Sequence, residues 1–387
     1  MKILKSILNY IPLATFIIFV VTDGIFSLTS ALIFVISTIG LLINWKRKKT
    51  EMKNWENSSL LGSRRERKIG ICKDGEIMGA WIRNNFINIS DETRKGVLVG
   101  GFSYKDIDDK FISEICSNDK IQVIQISKAL PKEAFIKIDS ILEKKPELDF
   151  RIFSITSLNR CDISFLENMP HLRRLRIDCH LRDWENGLDF NVLTKLNLKS
   201  LYLNAFDLRD YSFINHLSKD IEELLIMADT MGSSIKFDCK WLLQYDKLNT
   251  LWLGKKAKKN IECLSEMKSL KSLSLRGIKL KSFDFMKCLE LEKLELLWNS
   301  NNDLDDLKDL KSLKEIGLWR ISKLDNIDFI SELINLEIIK LQDLKYITEL
   351  PDLSGLTKLK KIVLDGTSIK IDAIDEPYKS MVERYWI

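Results

Sequence analysis

The residues of this 387-residue chain best able to hold a metal or act as nucleophiles are three histidines and seven cysteines, and their spacing serves neither purpose. A zinc ion needs three or four ligands brought to one point, commonly as closely spaced pairs. His171, His180 and His216 offer no such spacing, and Cys72, Cys116, Cys161, Cys179, Cys239, Cys263 and Cys288 never form C-x-x-C. An odd, scattered set is no disulfide framework either, so the cysteines read as small apolar residues of a reducing compartment. A nucleophile needs a base within hydrogen-bond reach, and the histidines suggest no pairing of that kind. The G-x-x-x-x-G-K-[ST] loop, the G-x-S-x-G elbow and the dinucleotide fingerprint are all missing. Gly100-Gly101 is too short for a phosphate cradle, while Asp108-Asp109 and Asp305-Asp306 read as solvated loops. The chain is therefore expected to be no enzyme and to carry no cofactor or metal.

Charge narrows the field further. The net charge is +5, but residues 46–68 alone hold nine Lys or Arg against three Glu, a local +6. Residues 1–45 add +1, which leaves −2 for everything after residue 68. A nearly neutral body lacks the footprint that phosphate-backbone binding demands, so nucleic acid is excluded as a partner. One basic run, Lys255-Lys256-Ala257-Lys258-Lys259, reads as a solvated turn that could contact acidic lipid or protein.

Between Ile3 and Trp45 only Lys5 and Asp23 are charged. That stretch is too long for one membrane span and fits two of about 20 residues each, broken at Thr22-Asp23-Gly24. The spacing predicts a transmembrane hairpin over 1–45, with helices near 3–21 and 25–45. A secretory signal is the rival reading, but no small-x-small cleavage site follows. Lys46-Arg47-Lys48-Lys49 ends the second helix while the intervening turn has no Lys or Arg, which predicts both termini in the cytoplasm. Residues 46–69 then form a basic flexible tether against an anionic leaflet.

The elements that must position any functional surface come from a repeat. The pattern apolar-x-x-apolar-x-apolar begins eleven times, at Ile121, Phe150, Leu172, Leu198, Ile221, Leu248, Leu270, Leu291, Leu313, Leu336 and Leu359. Spacings run from 21 to 29 residues, and all 33 positions are Leu, Ile or Phe in a chain only 45% apolar. Over about residues 105–370 this resembles the leucine-rich-repeat family, mostly its class of 21–23 residues. The resemblance implies an α/β repeat solenoid: a horseshoe with a parallel concave sheet, preceded here by two transmembrane helices. It also implies an asparagine three residues after each strand, bonded to neighbouring backbone. Only Asn299 conforms among Ala129, Leu158, His180, Phe206, Asp229, Lys256, Ile278, Asn299, Ile321, Leu344 and Thr367, so no asparagine ladder is expected.

The returns between strands keep an every-third-residue rhythm, as in Leu341, Leu344, Ile347, Leu350, Leu353, which suits 3₁₀ turns rather than α-helices. The first repeat is longer and carries a helix over about Pro131–Lys145. Residues 70–120 are expected to cap the solenoid, with short strands near 76–89 and 96–102 and a helix near 106–116. Residues 121–370 form the array and 371–387 close it with Tyr378, Val382, Tyr385 and Trp386.

Strand residues alternate sides, so those between the apolar positions face outward from the concave sheet. One such column runs Gln125, Ser154, Arg176, Tyr202, Leu225, Trp252, Ser274, Glu295, Gly317, Lys340, Val363. The next runs Ser127, Thr156, Asp178, Asn204, Met227, Gly254, Arg276, Leu297, Trp319, Gln342, Asp365. Mid-array, Tyr202, Leu225, Met227, Trp252, Arg276, Leu297 and Trp319 are expected in solvent, with Trp298 and Arg320 beside them. Aromatics, Met and Arg dominate interface hot spots, and exposed tryptophans mark binding surfaces. The expectation is a membrane-anchored cytoplasmic module that holds a protein or peptide partner on its concave face, as an immunity-like binder or an effector would. The competing expectation is a membrane-organising protein whose hairpin oligomerises and whose solenoid acts as a spacer.

Overall fold

A computed structural model describes residues 69–70, 86–91, 101–119, 121–156, 160–182, 187–232 and 234–383. The chain divides into two units, Met1–Lys68 and Ile69–Ile387, and every described residue lies in the second. The expected hairpin over 1–45 and the tether up to residue 68 lie outside the described residues. Among the described residues, no helix is long and apolar enough to cross a membrane.

Alternating apolar residues make one long sheet. Near the N-terminal end, β1 (Ile69–Gly70) lies antiparallel to β2 (Phe86–Ser90), which pairs in parallel with β3 (Gly101–Ser103) and β4 (Val123–Ile126). Helix α1 (Asp109–Cys116) precedes β4, with the Asp108 carboxylate accepting from the Phe111 N–H to cap it. Helix α2 (Lys132–Lys144) follows β4, with Pro131 fixed in an extended cap position just before it. Its apolar face, Ala134, Phe135, Ile138, Ile141 and Leu142, is buried. Buried Lys145 ends α2 and donates to the carbonyls of Asn118 and Ile121, at 2.7 and 3.1 Å, tying the end of α1 to the start of the array.

From there the sheet runs in chain order: β5 (Asp149–Thr156), β6 (Arg174–His180), β7 (Ser200–Phe206), β8 (Glu223–Ala228), β9 (Thr250–Lys255) and β10 (Ser272–Arg276). It continues through β11 (Lys293–Leu297), β12 (Glu315–Trp319), β13 (Ile338–Gln342), β14 (Lys361–Asp365) and β15 (Val382–Glu383), every pairing parallel. Eleven strands, β4 to β14, fall on the eleven copies of the apolar pattern, which makes the array a solenoid of leucine-rich type. Each pair of strand apolars, such as Leu273 and Leu275, stacks on the corresponding residues of both neighbours and is buried. No repeat could bury this face alone, so the core is continuous along the array.

The returns are 3₁₀ segments, among them Ile261–Glu266, Asp284–Cys288, Asp305–Asp309 and Asp328–Glu332. Three residues per turn places every third side chain inward, which explains the rhythm read from the sequence.

One register differs from expectation. In β5, Phe150 pairs with Ile124 and Ile152 with Ile126, so Arg151 rather than Ser154 stands in the column between Gln125 and Arg176. Phe150-Arg151-Ile152 satisfies the apolar-x-apolar rule as well as Phe153-Ser154-Ile155 does. A bulge between Ile152 and Ile155 then restores alignment, with Ile155 opposite Cys179. Phe153 is left 38% exposed, under the Arg151 guanidinium at 4.5 Å.

Candidate partner-binding surface

Parallel pairing in register brings the two outward columns together on the concave face. Tyr202 stands beside Leu225, Leu225 beside Trp252, Met227 beside Gly254, and Leu297 beside Trp319. Strands about 4.8 Å apart leave large side chains little choice but to cover one another. Tyr202, Met227, Trp252 and Leu297 are all buried in one cluster, and half-buried Leu225 and Trp319 pack against it. The expectation that these six stand in solvent is therefore corrected. Trp252 retains only 4% of its surface.

Small neighbours make this possible. A Cβ on Gly254 would lie 2.6 Å from Met227 Sδ and 2.8 Å from Trp252 Cζ3, so only glycine lets both side chains fold across that position. Ser274 leaves similar room on the far side of Trp252. Burial also pushes the Tyr202 phenol well above its ordinary pKa. The Trp252 Nε1 donor is buried without a hydrogen-bond partner.

Polar networks border the cluster at both ends. Toward the N-terminus, Arg151 pairs with Asp178 at 2.7 Å, Arg174 bridges Asp149 and Glu223 at 2.9 and 2.7 Å, and Arg176 pairs with Asp149. Toward the C-terminus, Lys293 lies 3.2 Å from Glu295 and 2.8 Å from Glu315, which also meets Lys340 at 2.8 Å. Burial pulls the Lys293 pKa down, but Glu295 and Glu315 outweigh it and hold the group at about 12. Burial works against the Glu315 carboxylate as well, yet Lys293 and Lys340 keep its pKa below the ordinary value.

The exposed part of the expected site lies where the strands end. Lys255 ends β9, and Gly277, Trp298, Arg320, Asp343 and Gly366 follow the next five strands; all six have left-handed backbone, with φ between 51° and 62°. Four of their N–H groups reach the next repeat: Gly277 donates to Leu297, Trp298 to Trp319, Arg320 to Gln342 and Asp343 to Asp365, at 2.7 to 2.9 Å. These backbone bonds run one residue before the position where the family resemblance implied an asparagine ladder. Asn299, the one conforming residue, behaves as implied, its Nδ2 donating to the Ile278 carbonyl at 2.7 Å.

Trp298 is 40% exposed. The Arg276 and Arg320 guanidiniums lie over its ring at 5.1 and 4.6 Å, and the half-buried Trp319 ring meets it edge-on. Asp343 Oδ2 accepts from Trp319 Nε1 at 2.9 Å and pairs with Arg320 Nε at 3.2 Å. Of the nine residues singled out in the sequence, the structure thus brings Arg276, Trp298, Trp319 and Arg320 into one surface group and withdraws the others wholly or partly into the cluster beneath. Asp343, the anchor of that group, is missed by sequence reasoning. It lies one residue beyond the outward column, at the turn position that Trp298 and Arg320 also occupy.

The three histidines take packing roles or none: His171 Nδ1 contacts Asp139 at 2.8 Å, His180 stacks on Phe206, and His216 is exposed. Among the described residues, no group of His, Cys, Asp and Glu could hold a metal ion. The described cysteines are all unbonded, and burial raises the pKa of Cys161 to about 11.

No family model matches the chain, and no curated protein matches it. Among solved structures, an internalin of Listeria monocytogenes aligns over 71% of this chain and 82% of its own, at 19% identity and TM-score 0.41. Internalin C2 of the same organism aligns over 46% and 77%, at 19% identity and TM-score 0.37. A leucine-rich-repeat protein of Leptospira interrogans aligns over 72% and 92%, at 14% identity and TM-score 0.37. At these values the likeness assigns no role to any residue.

Proposed function

We propose that the protein is a non-enzymatic recognition module that binds a protein or peptide partner on the concave face of its repeat array. In this reading the apolar residues 3–45 anchor it at a membrane, with the array in the cytoplasm, and anchoring raises the effective concentration of membrane-associated partners. The observation that carries the proposal is Trp298. A large apolar ring is left 40% exposed, on left-handed backbone, with two guanidiniums over it. The left-handed turn recurs in neighbouring repeats, so what sets Trp298 apart is its large exposed ring with two cations over it, residue types that dominate interface hot spots. The buried cluster below acts as a rigid floor rather than the contact surface. The ordered ion pairs on both sides supply a polar rim, the usual frame of an interface.

The test is capture of membrane-associated proteins by the full-length chain in neutral detergent. The parent is set beside a Trp298→Ala, Arg320→Ala double variant and a Lys308→Ala, Lys323→Ala control, after all three show the same thermal transition. A partner retained by parent and control but lost by the double variant supports the reading. Identical partners on all three would move recognition away from this face.

A further inference from the structure

The sequence Lys255-Lys256-Ala257-Lys258-Lys259 is only half of a larger basic feature. Two turns of adjacent repeats repeat one local pattern, lysine on either side of a buried apolar anchor: Lys256-Ala257-Lys258 after β9 and Lys279-Leu280-Lys281 after β10. Ala257 and Leu280 are buried in the core, which forces the flanking lysines outward. Because the repeats stack in register, both sets line a single cleft of about 700 Å³. Gly277 brings the walls close, since a Cβ there would meet Lys255 Cδ at 3.2 Å, and its φ of 62° suits glycine.

Six lysines line this cleft, Lys255, Lys256, Lys258, Lys259, Lys279 and Lys281, against two acids, Asp229 and Glu262. The local surplus of +4 stands in a body whose residues after 68 total −2. Three of the lysines are already engaged. Lys255 lies 3.8 Å from Asp229, Lys259 lies 3.3 Å from Asp238, and Lys256 Nζ donates to the Gly232 carbonyl. The Lys258, Lys279 and Lys281 side chains are exposed, and among the described residues their ammoniums have no hydrogen-bond or ion-pair partner. Like charges gathered in a concavity repel one another and focus a positive potential, which a multivalent anion relieves. Lysine presents its charge as a compact ammonium with three rotatable donors, well matched to phosphate oxygens in varied positions. The Ser234 and Asn260 side chains in the same wall add neutral polar groups.

We propose that this cleft is a binding site for a phosphate-rich anion, held chiefly by Lys258, Lys279 and Lys281. The chemistry is shared by small polyphosphates and by phosphorylated lipid headgroups. The three lysines lie outside the Arg276, Trp298, Trp319 and Arg320 group, although Gly277 in the cleft wall adjoins Trp298, and the site stands or falls without the proposed function.

Two arms on the full-length chain separate the two sources. In the first, calorimetry in neutral detergent titrates inositol hexakisphosphate into the parent, a Lys258→Ala, Lys279→Ala, Lys281→Ala variant, and a Lys308→Ala, Lys323→Ala, Lys345→Ala variant with the same charge change elsewhere. In the second, the same proteins are reconstituted into phosphatidylcholine vesicles with or without phosphatidylinositol bisphosphate, and acetylation of each lysine is followed by mass spectrometry. The cleft variant is expected to bind inositol hexakisphosphate about tenfold or more weakly than the parent, and the distant variant about equally. A Lys→Arg triple at the same three positions, which keeps charge and donors, is expected to retain binding and guards against a folding artefact. Binding in the first arm identifies a soluble polyphosphate. Protection of Lys258, Lys279 and Lys281 only with the phosphoinositide identifies a headgroup. No binding and no protection in either arm would overturn the proposal. So would equal losses in the two alanine triples, or polyglutamate binding as tightly as inositol hexakisphosphate.

Discussion

The rings of Trp298 and Trp319 meet edge to face, with centroids 5.9 Å apart and planes at 83°, although the two residues belong to adjacent repeats. The contact couples an exposed side chain to a fixed one. Trp319 is anchored through its Nε1 to Asp343 and packs on the buried cluster, so it cannot swing away. Trp298 in turn donates its backbone N–H to the Trp319 carbonyl at 2.7 Å. A surface ring held at both backbone and edge loses little freedom when a partner covers it, which is the condition for a binding hot spot.

Substitutions at Trp298 should separate ring from backbone. Trp298→Ala removes two exposed cation–π contacts and one aromatic pair, each worth about 0.5–1 kcal/mol, while keeping a Cβ at a φ of 54°. Trp298→Gly loses the same contacts but escapes the left-handed penalty of about 1–2 kcal/mol, part of which its looser unfolded chain takes back. The glycine variant is therefore expected to be more stable than the alanine variant by about 1 kcal/mol in urea unfolding. Equal stability would mean that the backbone there is not left-handed.

Trp252 should behave in the opposite way. It is buried in the concave cluster, so Trp252→Ala is expected to cost about 3–5 kcal/mol through the cavity it leaves. Trp252→Phe keeps much of the ring and removes a buried donor that has no partner, a group whose desolvation costs about 1–3 kcal/mol. Its loss should be well under half that of the alanine variant in urea unfolding. Similar losses for both would show that the Nε1 donor is satisfied. Either way, Trp252→Ala reports on folding and is unsuited to mapping the binding surface.

The contrast between Trp298 and Trp252 marks how far the sequence could be read. The apolar period placed the strands, and strand alternation placed both tryptophans on or beside the concave side. What a column written down the page omits is lateral fit. Trp252 is covered because Gly254 and Ser274 leave room beside it, and Trp298 stays out because it sits one residue beyond the strand, on a turn. The glycine was visible in the sequence, and a rule that large residues sink beside small ones would have corrected the assignment. The β5 register was not decidable by pattern alone, since two overlapping apolar triplets satisfied it equally and a bulge chose between them. The lysine cleft was half visible, as a run after β9. Its other half lies 20 residues or so further on and becomes adjacent only through stacking.

Asn299 tests the ladder position. It is 2% exposed, donates to the Ile278 carbonyl, and accepts from the Asn301 N–H at 2.7 Å. At the same position, Ile278, Ile321 and Leu344 fill the space with buried hydrocarbon. Asn299→Leu would thus match the neighbouring repeats in polarity, yet it strands one carbonyl and one N–H. Each such group costs about 1–3 kcal/mol when left unsatisfied, so a loss of at least about 2 kcal/mol is expected in urea unfolding. A neutral outcome would show that the apolar filling of the other repeats suffices here too.

Glu315 links the C-terminal polar network to pH. Its carboxylate is held below the ordinary value by Lys293 and Lys340 despite burial, so folding is favoured by its ionised form. The sign follows directly. The contribution is present above the ordinary carboxylate pKa of about 4.3 and is lost as pH falls through the lower folded value. Lys293 is raised to about 12, so its contribution is complete below the ordinary lysine value and fades only as pH climbs through about 12. Near neutrality the network is intact, and Glu315→Gln should cost about 3 kcal/mol because it leaves buried Lys340 without its 2.8 Å carboxylate. As the parent's carboxylate protonates in acid, parent and variant become alike, and the gap between their urea midpoints should close toward pH 3. A gap that stays constant from pH 7 to pH 3 would mean that the charge on Glu315 contributes nothing to folding.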